Sequence, residues 1–197
     1  DNDGSSNLEE SFAGSMADYA ASVPGYNGPL EFGREIQVNA PSPHVDYAAQ
    51  PAALAEGGFV VVWSSAEYTP SGYTDRGIYG QLFNANARKF DAEFKVNKRD
   101  GTLYRCPQAA ALAGGGFAVA WYDGNQAPGT VEIRVRLFDA SGKPLGPELG
   151  IASADTRVEY PGCPQVAALA GGGMSVTWHT RKPDGTGYRV FTRLLAS

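Results

Sequence analysis

The chain has 197 residues, 43% of them hydrophobic, and a formal net charge of −5 from 21 acids and 16 bases spread along its length. That is enough apolar material for one or two domains with real cores, which excludes wholesale disorder. The acidic balance leaves no basic stripe to neutralise phosphates, which argues against nucleic acid as a partner, and no apolar run approaches the roughly 18 to 20 residues needed for a membrane span.

The 25 glycines and 13 prolines suit many strands joined by turns, so the first expectation is an all-β protein. Residues 1–29 read as a separate N-terminal segment. Ser6 is placed to cap a short amphipathic helix in which Leu8, Phe12, Met16 and Tyr19 recur on one face, and Val23-Pro24-Gly25 ends it. The apolar stripe is read as docking on the body of the protein, with a partner-binding role as the alternative. No signal-peptide pattern opens the chain, so any export signal is expected to have been removed already.

Residues 30–197 form a β domain built on an internal repeat. Gln50 to Trp63, Gln108 to Trp121 and a third copy from Pro164 to Trp178 align in one register, and the three tryptophans are 58 and 57 positions apart. In each copy a glycine pair, Gly57-Gly58, Gly115-Gly116 or Gly172-Gly173, supplies the positive-φ turn of a hairpin. Phe59, Val61 and Trp63 then alternate with Val60 and Val62. Apolar residues on both faces predict a strand sandwiched between two sheets.

A second alternating run follows each Trp, at Ile78–Phe83, Ile133–Phe138 and Arg189–Leu195, and a further short one at Glu93–Asn97 and Glu148–Ala152. Each unit is thus expected to hold about four strands. The third copy lacks the last of them before Ser197, while the same pattern stands alone as Glu35-Ile36-Gln37-Val38-Asn39. That segment either completes the last unit, in the same or another chain, or is the last strand of an earlier repeat. Three units are few for a propeller ring, where about four to eight is usual, so a homodimer closing a six-bladed ring or a compact three-fold β fold is expected.

These segments, with Gly80-Gln81-Leu82-Phe83 and Phe94-Lys95-Val96-Asn97, resemble the tandem repeats of large secreted bacterial calcium-binding, hemolysin-type and adhesin proteins. The resemblance covers about residues 30–197 and implies an extracellular, propeller-like repeat without a catalytic site. Asn84 where the pattern has Asp, Leu195 where it has Phe, and the two Cys-Pro pairs depart from it.

The chemistry legible in the residues favours binding over catalysis. The two histidines, His44 and His179, fall at non-equivalent positions, which leaves no histidine cluster to assemble. His179 follows Trp178 at the mouth of a loop, as a surface side chain or a ligand contact. Asp123-Gly124-Asn125, Asp184-Gly185 and Asp139 can offer oxygens to calcium, a candidate cofactor, but none forms the spaced D-x-D-x-D-G set and ordinary Asp-Gly turns explain them. No other cofactor or metal is expected. Glu67, Asp75, Glu93 and Glu132 are acids whose mutual placement sequence does not fix, and no nucleophile elbow, phosphate loop or H-E-x-x-H is present.

Tyr68, Tyr73, Tyr122 and Tyr188, with Asp123 and His179, are read as lying in the loops after each Trp, a mixture suited to stacking on sugars and equally to a protein interface. The expectation is a secreted, non-enzymatic module, lectin-like, binding glycan or a cell-surface protein. The alternative is a structural or assembly protein of a surface layer, filament or adhesin. Cys106 and Cys163 occupy equivalent places in adjacent copies, with Ala48 in the first. A disulfide joins them if their Cα atoms come within about 7 Å, and free buried thiols are the alternative.

Overall fold

The structure is a computed structural model, and it describes residues 35–70, 72–98, 103–124, 131–153, 163–182 and 184–196. The N-terminal helix expected from Ser6 onward lies outside the described residues. The chain divides into a unit of residues 1–37 and a unit of residues 38–197. Of the first, Glu35–Gln37 is described and contains no strand.

The second unit is all-β: the described residues contain no helix, and hence none long and apolar enough to cross a membrane. The first sheet holds β1 (Val45–Ala53), β2 (Phe59–Thr69), β3 (Gly72–Phe83) and β4 (Lys89–Lys95) in that order. The second repeats it with β5 (Leu103–Ala111), β6 (Phe117–Gly124), β7 (Val131–Phe138) and β8 (Leu149–Ser153). The third has three strands among the described residues, β9 (Gln165–Ala168), β10 (Met174–Arg181) and β11 (Tyr188–Leu195), with β11 at its outer edge. All pairings are antiparallel.

The glycine pairs make the turns expected of them. Leu54 N–H donates to the Gly58 carbonyl at 3.1 Å, and the same bond recurs from Leu112 to Gly116 and from Leu169 to Gly173. Gly116 has φ +73°, and a Cβ there would collide with the Phe138 carbonyl oxygen, so the turn requires glycine twice over.

The two faces of β6 feed two cores, which is why its sequence is apolar throughout. Phe117, Val119 and Trp121 pack against Val60, Val62 and Ile78 of the first sheet. Ala118 and Ala120, with Ile133, pack against Met174, Val176 and Trp178 of the third. Small residues on one face and large ones on the other let neighbouring sheets interdigitate, and each buried Val, Phe or Met contributes about 1.5–3 kcal/mol. The hairpin ends carry a repeated aromatic pair, Phe59 on Phe83 at 4.6 Å and Phe117 on Phe138 at 5.0 Å, both near parallel. In the third sheet Met174 and Leu195 hold the paired positions instead.

The short run after the third strand joins each sheet to the next. Val96, just past β4, is fully buried in the core between the first and second sheets, and Ile151 of β8 in the core between the second and third. Arg136 Nη1 donates to the Val96 carbonyl at 2.7 Å, and Arg193 Nη1, at the equivalent place in β11, donates to the Ile151 carbonyl at 2.5 Å.

Glu35–Asn39, expected as a strand, forms none. Val38 packs against Val61, Trp63 and Phe83 of the first sheet, so within one chain it does not serve the third. Its contacts are the counterpart of those Val96 makes with the second sheet. The Ala40 N–H donates to the Glu93 carboxylate just as the Lys98 N–H donates to Glu148.

Candidate functional site

β1, β5 and β9 are the first strands of their sheets, and β5 packs on both of the others. They start at the end where β2, β6 and β10 finish and where β3, β7 and β11 begin. Two of them are bent by bulges. The register of β1 slips between Tyr47 and Gln50 and that of β5 between Arg105 and Gln108. Ala48 and Cys106, at the slips, have φ of 54° and 56°, a left-handed conformation uncommon for non-glycine residues. Such bulges re-aim the residues before them, here Tyr47 and Arg105, which are repeat-equivalent.

Tyr47 and Asp75 meet at this end. The Tyr47 hydroxyl lies 3.3 Å from Asp75 Oδ1, which accepts its hydrogen bond. Asp75 sits on β3 opposite Ala66 and is half-buried. Burial pushes its carboxyl above the usual carboxylate range, while the Arg105 guanidinium and the Tyr47 hydrogen bond pull the other way. The Tyr47 phenol is pushed up as well, first by burial and then by the Asp75 charge, against the pull of Arg105. Burial thus outweighs the phenol and the cation, both of which favour the ionised form of this carboxyl. Beside Tyr47, Asp46 accepts from Asn39 Nδ2 at 2.7 Å through Oδ2, while its buried Oδ1 has no hydrogen-bond partner.

A second charged group lies at the same end of the second sheet. Arg134 pairs with Asp123 at 2.7 Å, Glu132 at 2.5 Å and Glu148 at 3.5 Å. The one guanidinium holds three carboxylates together and braces β6, β7 and the entry to β8.

The residues singled out in the sequence fall into two kinds. Tyr68 and Tyr73, expected in a loop, are paired strand residues with rings edge to face at 5.3 Å, and both are about two-thirds exposed. His179 and Tyr188 repeat this on the third sheet, perpendicular at 5.2 Å, at the same hairpin end. Tyr122 and Asp123, by contrast, are buried in β6, Asp123 against Arg134. Asp139 and Asp184, weighed as calcium ligands, accept turn hydrogen bonds, from Ser141 N–H and Thr186 N–H at 2.9 Å each. The Ser141 hydroxyl and then the Lys143 N–H hold the Asp139 carboxyl below the usual range, and the Thr186 N–H and hydroxyl do the same for Asp184. Among the described residues no group of three or more His, Cys, Asp or Glu is arranged to hold a metal ion. The disulfide is present: Cys106 on β5 is bonded to Cys163 ahead of β9, with Cα atoms 5.2 Å apart. Sequence reasoning missed Tyr47 and Arg105. Their one signal is that each immediately precedes the position occupied by Ala48 or Cys106.

No family model and no curated protein matches the chain. Solved structures do. A thermostable family-43 glycoside hydrolase superposes with a TM-score of 0.52 at 16% identity, covering 77% of this chain and 55% of that one. An α-L-arabinofuranosidase from Lactobacillus brevis gives 0.51 at 11% identity, covering 80% and 55%. An arabinanase from Bacillus subtilis gives 0.50 at 12%, covering 81% and 56%. The chain therefore spans just over half the length of the enzymes it resembles. These are five-bladed propellers, whereas the three sheets here form no closed ring among the described residues.

At such identities the shared property is the fold, and it is propeller-like. The comparison nevertheless corrects the expectation of a non-enzymatic lectin-like or assembly module, because the solved chains that share this architecture are glycoside hydrolases. The physical reason is that the repeat specifies strands and seams. A site assembled from residues of separate strands leaves no local motif in a sequence.

Proposed function

We propose that this chain is part of a carbohydrate-active enzyme of the glycoside hydrolase type, acting outside the cell on a glycan. The observation that carries the reading is the half-buried carboxyl of Asp75, hydrogen-bonded by Tyr47 and pushed by burial above the usual carboxylate range. Glycosidic cleavage needs an acid to protonate the leaving oxygen and a second carboxylate to act as base or nucleophile. In this reading Asp75 is the acid and Tyr47 orients it through their hydrogen bond, with the charge of Arg105 acting on both from the neighbouring sheet. The exposed pairs Tyr68/Tyr73 and His179/Tyr188 offer ring faces against which a sugar can stack at the same end. The fold likeness supports the reading and makes arabinose-containing polysaccharides the first substrates to try. The disulfide fits secretion, since such bonds persist in oxidising compartments.

The test is release of reducing sugar from a panel of polysaccharides by the wild-type chain and by Asp75→Asn. Turnover lost in the variant supports the assignment. Turnover that Asp75→Asn leaves intact, or no turnover on any glycan, overturns it.

A further inference from the structure

Arg105 is a cation left open beside the Tyr47–Asp75 pair. Its charge acts on both the phenol and the carboxyl, yet it is exposed and makes no ion pair among the described residues. The other arginines on strands of the first two sheets are committed. Arg134 holds Asp123, Glu132 and Glu148, and Arg136 donates to the Val96 carbonyl. Arg76 donates to Ser65 Oγ at 3.4 Å, with its guanidinium over the Tyr79 ring. Asp75 does not occupy Arg105 from within, because that carboxyl is held by Tyr47 and burial disfavours its charge.

The backbone under Arg105 is fixed on both sides. Arg105 pairs with Tyr122 of β6, and the next residue, Cys106, is the left-handed residue of the bulge and is bonded to Cys163. An exposed guanidinium on so ordered a strand presents its fork of donors with little further ordering to be done on binding. A planar fork of this kind takes a carboxylate through two parallel bonds, and such charge-assisted bonds are about twice as strong as neutral ones.

We propose that Arg105 binds the carboxylate of an acidic sugar, so that the glycan recognised at this end of the fold carries uronic acid units. The proposal deepens the catalytic reading and rests on it for the identification of this end as a glycan site. A carboxylate paired with Arg105 would also offset the cation that favours the ionised form of Asp75, so an acidic glycan would help to keep the proton on the acid. A neutral sugar would not.

The experiment titrates oligogalacturonides and oligoglucuronides, each beside its carboxyl-reduced counterpart, into the wild-type chain and Arg105→Gln by calorimetry. Release of reducing sugar is followed in the same samples. The expected result is an acidic ligand bound by the wild-type chain about tenfold or more tighter than its neutral counterpart. That preference disappears in Arg105→Gln and shrinks at high salt. This outcome supports the proposal whether or not sugar is released, and absence of release then counts against the catalytic reading alone. Acidic and neutral ligands bound alike, no binding of either, or a preference that Arg105→Gln leaves intact overturns the proposal. Sugar release in those cases leaves the catalytic reading standing.

Discussion

The hydroxyl of Tyr47 reaches Asp75 at 3.3 Å across an intervening strand, tying the first strand of the sheet to its third at the end where Arg105 approaches from the neighbouring sheet. Because burial raises the Asp75 carboxyl above its unfolded value, the folded chain binds that proton more tightly than the unfolded chain does. Stability from this group is therefore present at low pH and is lost as pH rises from the ordinary carboxylate range through the raised value. Asp75→Asn removes the cost of ionising in place and is expected to raise the melting temperature at neutral pH, with a gain that shrinks towards pH 3. Thermal melts of both proteins across pH check this.

The disulfide closes a loop whose ends are 57 residues apart. In the chain-entropy account a loop of that size contributes about 4 kcal/mol by restricting the unfolded chain. Cys106→Ser combined with Cys163→Ser should lower stability by about that amount or somewhat less, read from denaturant midpoints with and without reductant.

Arg136 is buried where it donates to the Val96 carbonyl at 2.7 Å. Arg136→Leu leaves that carbonyl without its charged donor in the seam between the first and second sheets, at a cost of about 1–3 kcal/mol. Arg193→Leu should cost less, since β11 is exposed along most of its length. Equilibrium unfolding of the two variants gives the comparison.

Gly116→Ala puts a Cβ against the Phe138 carbonyl oxygen at a φ of +73°. A loss of at least about 1–2 kcal/mol is expected from the left-handed conformation alone, more with the clash. Gly114→Ala, which meets nothing within 4 Å, is the control and should be nearly neutral.

The strands and seams were legible in the sequence because they obey local rules repeated three times. Gly57-Gly58 and its copies announce the hairpin, and the two apolar faces of Phe117–Trp121 announce a strand between two cores. The equivalence of Cys106 and Cys163 announces neighbouring inner strands. The site was not legible, because Tyr47, Asp75 and Arg105 come from three strands in two sheets and are joined only by the bulges at Ala48 and Cys106. Tyr122 and Asp123 misled for a related reason. β6 continues past Trp121 to Gly124, so residues that resemble a loop in sequence are the buried end of a strand. Glu35–Asn39 carries the fourth-strand pattern without being a strand, and its Val38 packs on the first sheet instead.

The measurement that bears most directly on the central claim is the pH dependence of sugar release from arabinan by the wild-type chain and by Asp75→Asn. A general acid works in its protonated form, so the wild-type rate should fall as pH rises through the elevated Asp75 value, and Asp75→Asn should lose at least about a hundredfold. A rate that Asp75→Asn leaves unchanged, or a pH profile the same in both proteins, would contradict the assignment of this carboxyl as the proton donor.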